Sequence, residues 1–336
     1  MINKKLYICF TFYHVLVTLM KEISSDYTAD IVICDTIPEY EGLIDSLKDS
    51  GIFNNVYEFK EKKYQESGFL NFKRFIRVRN LFVNQIIKKN INPSFELKKS
   101  TYSEVNIFND WTYIGYYLRA NKIYYNLLED AKDSYKVLGN YFKIDYYKPF
   151  KHRLLSRIFE TQFFHGKSKY SKVVEVNSAD GISIPKDKLR ITPKDNMFKN
   201  LTNEDKIKIY NIFMSDKVSP TLEQNSILIL TQPLFEDKIV KFSEIQKNVY
   251  EIIINEYCIE KGLNPVIKPH PRDNFNYELE FSNIKVINKN LPTEILNFNP
   301  QIKFAKAITV TSSSIGGIDF VDEKISLGFE WLRQFQ

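Results

Sequence analysis

Cysteine is scarce and odd in number: the chain carries three, Cys9, Cys34 and Cys258. Two of them sit inside apolar runs, where a thiol behaves as a small hydrophobe, which argues against a disulfide framework. Histidine is also rare, with four scattered residues and no CxxC or HExxH spacing, so no metal site can be read from the sequence. The longest apolar stretches, such as 6–12 and 227–230, are broken well before the roughly 18 residues of a membrane span. The first residues, Met-Ile-Asn-Lys-Lys, lead directly into a strand-like run without a signal-type apolar region or cleavage site, so the expected location is the cytoplasm. There is no internal repeat and no low-complexity tract.

What is present is enough for two α/β domains: 336 residues, 43% of them hydrophobic. The first part reads as strand 6–10, helix 14–24, strand 29–34, helix 40–49 and strand 55–59. A long basic amphipathic helix over 69–89, a strand at 104–108, a helix from 111 to 120 and a strand at 124–128 follow. This alternation is half of a doubly wound sheet. Residues 177–203 are polar, with Gly181, Pro185 and Pro193, and read as an interdomain linker. The expected domains are therefore 1–180 and 181–336. The second restarts with strand 227–230, a helix over 238–261 stopped by Gly262, strands 265–267 and 284–287, a short helix 293–298 and strand 307–310.

Two loops in the second half carry chemistry. Lys268-Pro-His-Pro-Arg-Asp273 follows an apolar strand, and its prolines cannot continue regular pairing, so His270 stands on a rigid turn at the strand's C-terminal end. Thr311-Ser-Ser-Ser-Ile-Gly-Gly317 follows another strand and predicts a helix start whose N–H groups and hydroxyls face the same crevice. In an open α/β sheet that edge holds the ligand, and the two loops together suit a nucleotide-sugar phosphate. Lys268, Pro269 and Arg272 on one side, and Ser312, Ser313 and Ser314 on the other, are the expected contacts. For His270, flanking cations at a strand end favour ligand contact over a structural role.

Five elements occur in order: Glu129-Asp130, Thr231-Gln-Pro233 with Glu236-Asp237, the 268–273 loop, Pro292-Thr-Glu294 and Ser312–Ser314. This order resembles the bacterial sialyltransferases with their acidic, HP and serine motifs, and more narrowly glycosyltransferase family 52, which includes lipooligosaccharide and capsule sialyltransferases. The resemblance implies the GT-B architecture, two Rossmann-like domains facing a central cleft. The N-terminal domain would take the acceptor and the C-terminal one the nucleotide sugar. It implies an inverting, metal-independent transfer of sialic acid from CMP-sialic acid to a galactose-type acceptor of a surface glycan, with no cofactor beyond that donor.

In such an enzyme a carboxylate takes the acceptor's proton. Asp130 is the first choice and Asp237 its rival; each could instead be an acid at a helix start. The acidic motif has Ala131 where the family has glycine. The resemblance also implies His270 as the donor to the leaving phosphate, as a protonated imidazole. Glu294 would bind the nucleoside's ribose, Gln232 would join the donor contacts, and Glu129, Thr11 and Tyr13 would contact sugar. The alternatives are a relative using another nucleotide sugar, such as a UDP-sugar or CMP-Kdo, a phosphate-handling epimerase, and a non-catalytic polysaccharide-assembly protein that keeps the fold.

The net charge of +6 is concentrated between Lys143 and Lys172, where eight Lys/Arg face two acids among aromatic residues. One reading is peripheral contact with the inner face of the cell membrane; the other is a solvated helix face over ordinary core aromatics. Nucleic acid is not expected, since no binding motif accompanies the charge. The resemblance allows a homodimer.

Overall fold

A computed structural model describes residues 4–66, 83–93, 95, 97, 101–131, 134–135, 165–179, 182, 184–214, 225–282 and 284–335. The chain divides into two compact units, 1–205 and 206–336.

The first unit holds a seven-stranded, wholly parallel sheet. Its strands are β1 (Lys4–Cys9), β2 (Thr28–Cys34), β3 (Asn55–Phe59), β4 (Glu104–Ile107), β5 (Tyr125–Leu128), β6 (Ser171–Val176) and β7 (Leu189–Ile191), in the order β3-β2-β1-β4-β5-β6-β7. Crossover helices cover a parallel sheet on both faces, so its central strands are largely apolar. Accordingly Leu6 to Cys9 and Ala29 to Cys34 are buried. Helix α1 (Phe12–Glu22) starts where the Thr11 hydroxyl accepts the His14 N–H, and it is buried from His14 through Leu19.

The second unit repeats the pattern with five parallel strands, β8 (Ser226–Leu230), β9 (Asn264–Lys268), β10 (Lys285–Val286), β11 (Phe304–Thr309) and β12 (Val321–Ser326), ordered β10-β9-β8-β11-β12. Both orders place the first strand of the unit beside the fourth, with the second and third on the far side of the first. That is the Rossmann arrangement, and the ligand crevice lies at the strand C-termini where the order reverses, here between β8 and β11.

The division falls after Asp205 rather than after residue 180. The stretch read as a linker contains β7, which pairs with β6, and a helix (Lys194–Asn200) whose Lys194 ammonium lies 3.6 Å from Glu175 on β6. β6, β7 and β12 were missed because they lack a continuous apolar run: β7 and β12 are largely exposed edge strands. The helix expected over 238–261 is shorter, Ser243–Tyr257, with a 3-10 turn at Ile259–Lys261. Gly262 ends it in the left-handed region, at φ +66°, as expected.

Of the helix expected at 69–89, the described part is Val83–Asn90, and it is helical. The basic aromatic stretch lies outside the described residues from 143 to 164. Among the described residues no helix is long and apolar enough to cross a membrane. The three cysteines are buried free thiols, and burial pushes Cys9 and Cys258 up to about 12.

Candidate active site

In the second unit the expected motifs converge on the switch point. The Thr309 hydroxyl donates to the Leu230 carbonyl at 2.9 Å, and the Thr311 hydroxyl donates to the Gln232 side-chain carbonyl, so the ends of β8 and β11 are stitched together. The Gln232 side-chain amide remains as the donating end of that group.

The loop after β9 is anchored from beneath. Asp273 is buried and accepts from the Thr231 and Tyr277 hydroxyls, each at 2.7 Å, from the Gln246 amide at 3.0 Å and from the Phe275 N–H at 3.1 Å. The Thr231 hydroxyl in turn accepts the His270 N–H at 3.2 Å. Asp273 and Thr231 thereby hold the histidine's backbone, a role the sequence reading did not assign to them, although both belong to its motifs.

His270 is half-buried, and its Nδ1 accepts the Arg272 N–H at 3.1 Å. The proton therefore sits on Nε2, which becomes the donating edge. Burial, then the charges of Arg272 and Lys268, hold its pKa below the ordinary histidine range. That shift favours the neutral imidazole, which offers a hydrogen bond, over the protonated imidazole expected from sequence.

Lys268 departs from its expected role. Its ammonium is buried and donates to the carbonyls of Pro269 at 2.9 Å and Lys289 at 3.0 Å, so it braces the loop instead of facing a phosphate. Desolvation lowers it to about 7, opposed by the charge of Glu294. Arg272 is committed to Asp237: Nη1 lies 2.6 Å from Oδ1 and Nη2 3.0 Å from Oδ2. A base whose two oxygens are both held in this way accepts a proton only after the pair parts.

The serine motif opens a five-residue 3-10 turn, Ser313–Gly317, instead of the expected α-helix. Ser312 caps it, accepting the Ser314 N–H at 3.3 Å, and the hydroxyls of Ser312 and Ser314 bond to each other. Glu294 lies on a neighbouring 3-10 turn, Thr293–Phe298. Its Cγ and Oε1 are 4.0 Å from where a Cβ would stand on Gly317, and Asn297 donates to the Gly317 carbonyl at 2.8 Å. Gln232, His270, Glu294 and the serine turn thus belong to one edge of one sheet.

The first unit carries the remaining candidates at the ends of β1 and β5. Glu129 is buried and accepts the Asn177 N–H at 2.6 Å, which ties β5 to the segment after β6. Thr11 is the cap of α1, and Tyr13 is half-buried beside it on the same helix. Asp130 is different: its side chain is 50% exposed, with Oδ1 lying 3.0 Å from His14 Nε2. The same nitrogen is 2.9 Å from the Asp130 carbonyl. His14 closes the Thr11-Phe-Tyr-His14 stretch where the resemblance places sugar contacts; a contact to Asp130 was not expected of it.

Ala131 adopts its turn without a left-handed backbone, since the positive-φ residues other than glycine among those described are Glu39, Lys122, His165 and Lys238. Alanine in place of glycine therefore introduces no strain there. No group of three His, Cys, Asp or Glu residues suited to a metal occurs among the described residues.

The sequence profile of glycosyltransferase family 52 matches residues 30–328, most of both units. The chain belongs to glycosyltransferase family 52. The family member is thus a glycosyltransferase with two Rossmann-like units, the pair of domains of which GT-B enzymes are made. It is similar to an "Uncharacterized protein" of Haemophilus influenzae, 28% identical over 253 residues that make up 73% of this chain and 78% of the other. Among solved structures, the α/β-galactoside α-2,3-sialyltransferase of Photobacterium phosphoreum aligns at 16% identity and TM-score 0.46, covering 96% of this chain and 90% of that one. The GT-B domain of a Photobacterium damselae sialyltransferase aligns at 13% identity and TM-score 0.47, with 95% and 89% covered.

Proposed function

We propose that this glycosyltransferase is an inverting sialyltransferase, moving sialic acid from CMP-sialic acid to a galactose-type hydroxyl of a surface glycan such as lipooligosaccharide or capsule. The observation that carries the reading is the placement of His270, held by Thr231 and Arg272 on the loop at the strand C-termini with Nδ1 occupied and Nε2 as its donor. As the anomeric C–O bond breaks, its electron pair passes to the phosphate of CMP. A fixed, half-buried donor there stabilises the developing charge with little reorganisation. Gln232 and the serine turn supply further donors, and Glu294 suits the ribose hydroxyls. The new bond forms from the acceptor oxygen to the anomeric carbon, with the acceptor's proton leaving to Asp130.

Asp130 is preferred over Asp237 because its carboxylate is half-exposed, whereas both oxygens of Asp237 are engaged by arginine. In this reading protein donors meet the leaving phosphate and no metal or other cofactor takes part, and the reaction takes place in the cytoplasm. The test is incubation with CMP-sialic acid and lactose, with and without EDTA, followed by mass spectrometry of CMP and product. Transfer that survives EDTA and is lost in His270→Ala supports the reading. Failure to release CMP with any acceptor, together with thermal stabilisation by a uridine nucleotide, replaces the donor with a UDP-sugar.

A further inference from the structure

The buried imidazole beside the proposed base has a more specific role than packing. We infer that His14 is a positioning residue for Asp130: a neutral donor that pins Oδ1 and leaves Oδ2 as the oxygen that receives the acceptor's proton. The inference rests on the reading of Asp130 as the base.

Three observations carry it. First, the ring cannot turn. His14 is fully buried, stacks on Phe108 with centroids 4.3 Å apart and planes 6° from parallel, and meets Phe10 edge-on at 6.1 Å. Second, the tautomer is set by the main chain: the Phe10 N–H donates to Nδ1 at 3.0 Å, so the ring proton is on Nε2. That N–H bonds to the backbone carbonyl of Asp130 at 2.9 Å, and Oδ1 of the same residue lies 3.0 Å from the same nitrogen. Third, the carboxylate is half-exposed although His14 is not, so the oxygen turned away from the ring is the one that meets solvent or substrate.

The same geometry rules out a relay. A proton passed from Asp130 to His14 would have to leave through Nδ1, and Nδ1 faces an N–H that can only donate. An imidazolium would set two donors against each other inside the core. The proton abstracted from the acceptor therefore stays on Oδ2 until product leaves. His14 contributes by holding the carboxylate in one rotamer, and by fixing the carbonyl of a turn in which alanine replaces the more mobile glycine.

The test compares His14→Gln with His14→Asn in the full-length protein. Glutamine extends its amide nitrogen to about the place of Nε2, whereas asparagine reaches only the place of Nδ1. His14→Gln is expected to keep kcat within about fivefold, and His14→Asn to lose roughly 10²-fold, with the donor KM of both within about twofold of wild type. Equal kcat in the two variants overturns the positioning role, as does a loss carried by KM. Asp130→Ala, run in parallel, separates the two levels of the reading. If it keeps wild-type turnover, the base assignment and the role of His14 fall together; if it abolishes turnover while Gln and Asn behave alike, only the role of His14 falls. Should His14→Asn fail to fold, a His14→Gln variant that folds but loses the 10²-fold in kcat still overturns the inference.

Discussion

Arg272 grips Asp237 through both carboxylate oxygens, and the pair lies in the open, with the arginine side chain 65% and the aspartate 30% exposed. An exposed pair contributes little to stability, on the order of 0–1 kcal/mol. Asp237→Asn should therefore fold normally and change donor KM by releasing Arg272, with kcat staying within roughly tenfold of wild type. Asp130→Asn should lose about 10²-fold or more in kcat, as expected for a missing general base. Steady-state kinetics of the two variants decide which acid is the base.

His270 should titrate below the value of about 6.5 typical of a free imidazole. NMR of the ring C–H signals across pH, assigned against His270→Ala, checks this. Because burial and cations depress the folded pKa, the group's contribution to stability is present above the unfolded value and is lost as pH falls through the folded one. Arg272→Gln should move the midpoint upward, by removing one of the cations responsible.

Thr231→Val keeps the side chain's shape and removes the hydroxyl shared by Asp273 and His270. A buried carboxylate oxygen then loses one partner, at a cost of about 1–3 kcal/mol in urea unfolding. Turnover should fall as well, because the histidine's backbone is no longer anchored. Thr231→Ser, which keeps the hydroxyl, should stay close to wild type in both measurements.

Lys268 makes stability depend on pH in a direction that can be tested. Its folded pKa of about 7 lies far below that of an unfolded lysine, so between the two values the unfolded chain binds the extra proton. Stability rises with pH across that window, by at most about 1.4 kcal/mol per pH unit. Urea denaturation at pH 7.5 and 9.5 should show wild type gaining relative to Lys268→Met, whose side chain does not titrate.

Gly115→Ala tests a close approach of backbone to backbone. A Cβ at Gly115 would stand 2.4 Å from the Asp110 carbonyl oxygen, and no flexible side chain is there to give way. The overlap should outweigh the roughly 1 kcal/mol of helix propensity that alanine adds, and lower stability by about 1–3 kcal/mol in the same assay.

Much of the fold was legible because its signals are local. Buried parallel strands are runs of apolar residues, and the strand at 226–230 shows this at its own position in the chain; Gly262 likewise marks a helix end by its own φ. Strands β7 and β12 escaped because an edge strand needs no apolar run: its hydrogen bonds come from a neighbour that its own residues do not reveal.

The candidate site divides along the same line. Sequence alone located the loops, since a strand followed by Lys-Pro-His-Pro or Thr-Ser-Ser-Ser must turn at the sheet's C-terminal edge. What each charged group does there was decided by tertiary partners. Lys268 faces carbonyls 1 and 21 residues away, Asp237 meets an arginine 35 residues away, and Asp130 meets a histidine 116 residues away. A side chain's type states which bonds it can make; only the folded chain, by bringing distant donors within about 3 Å and excluding water from some of them, selects which it does make.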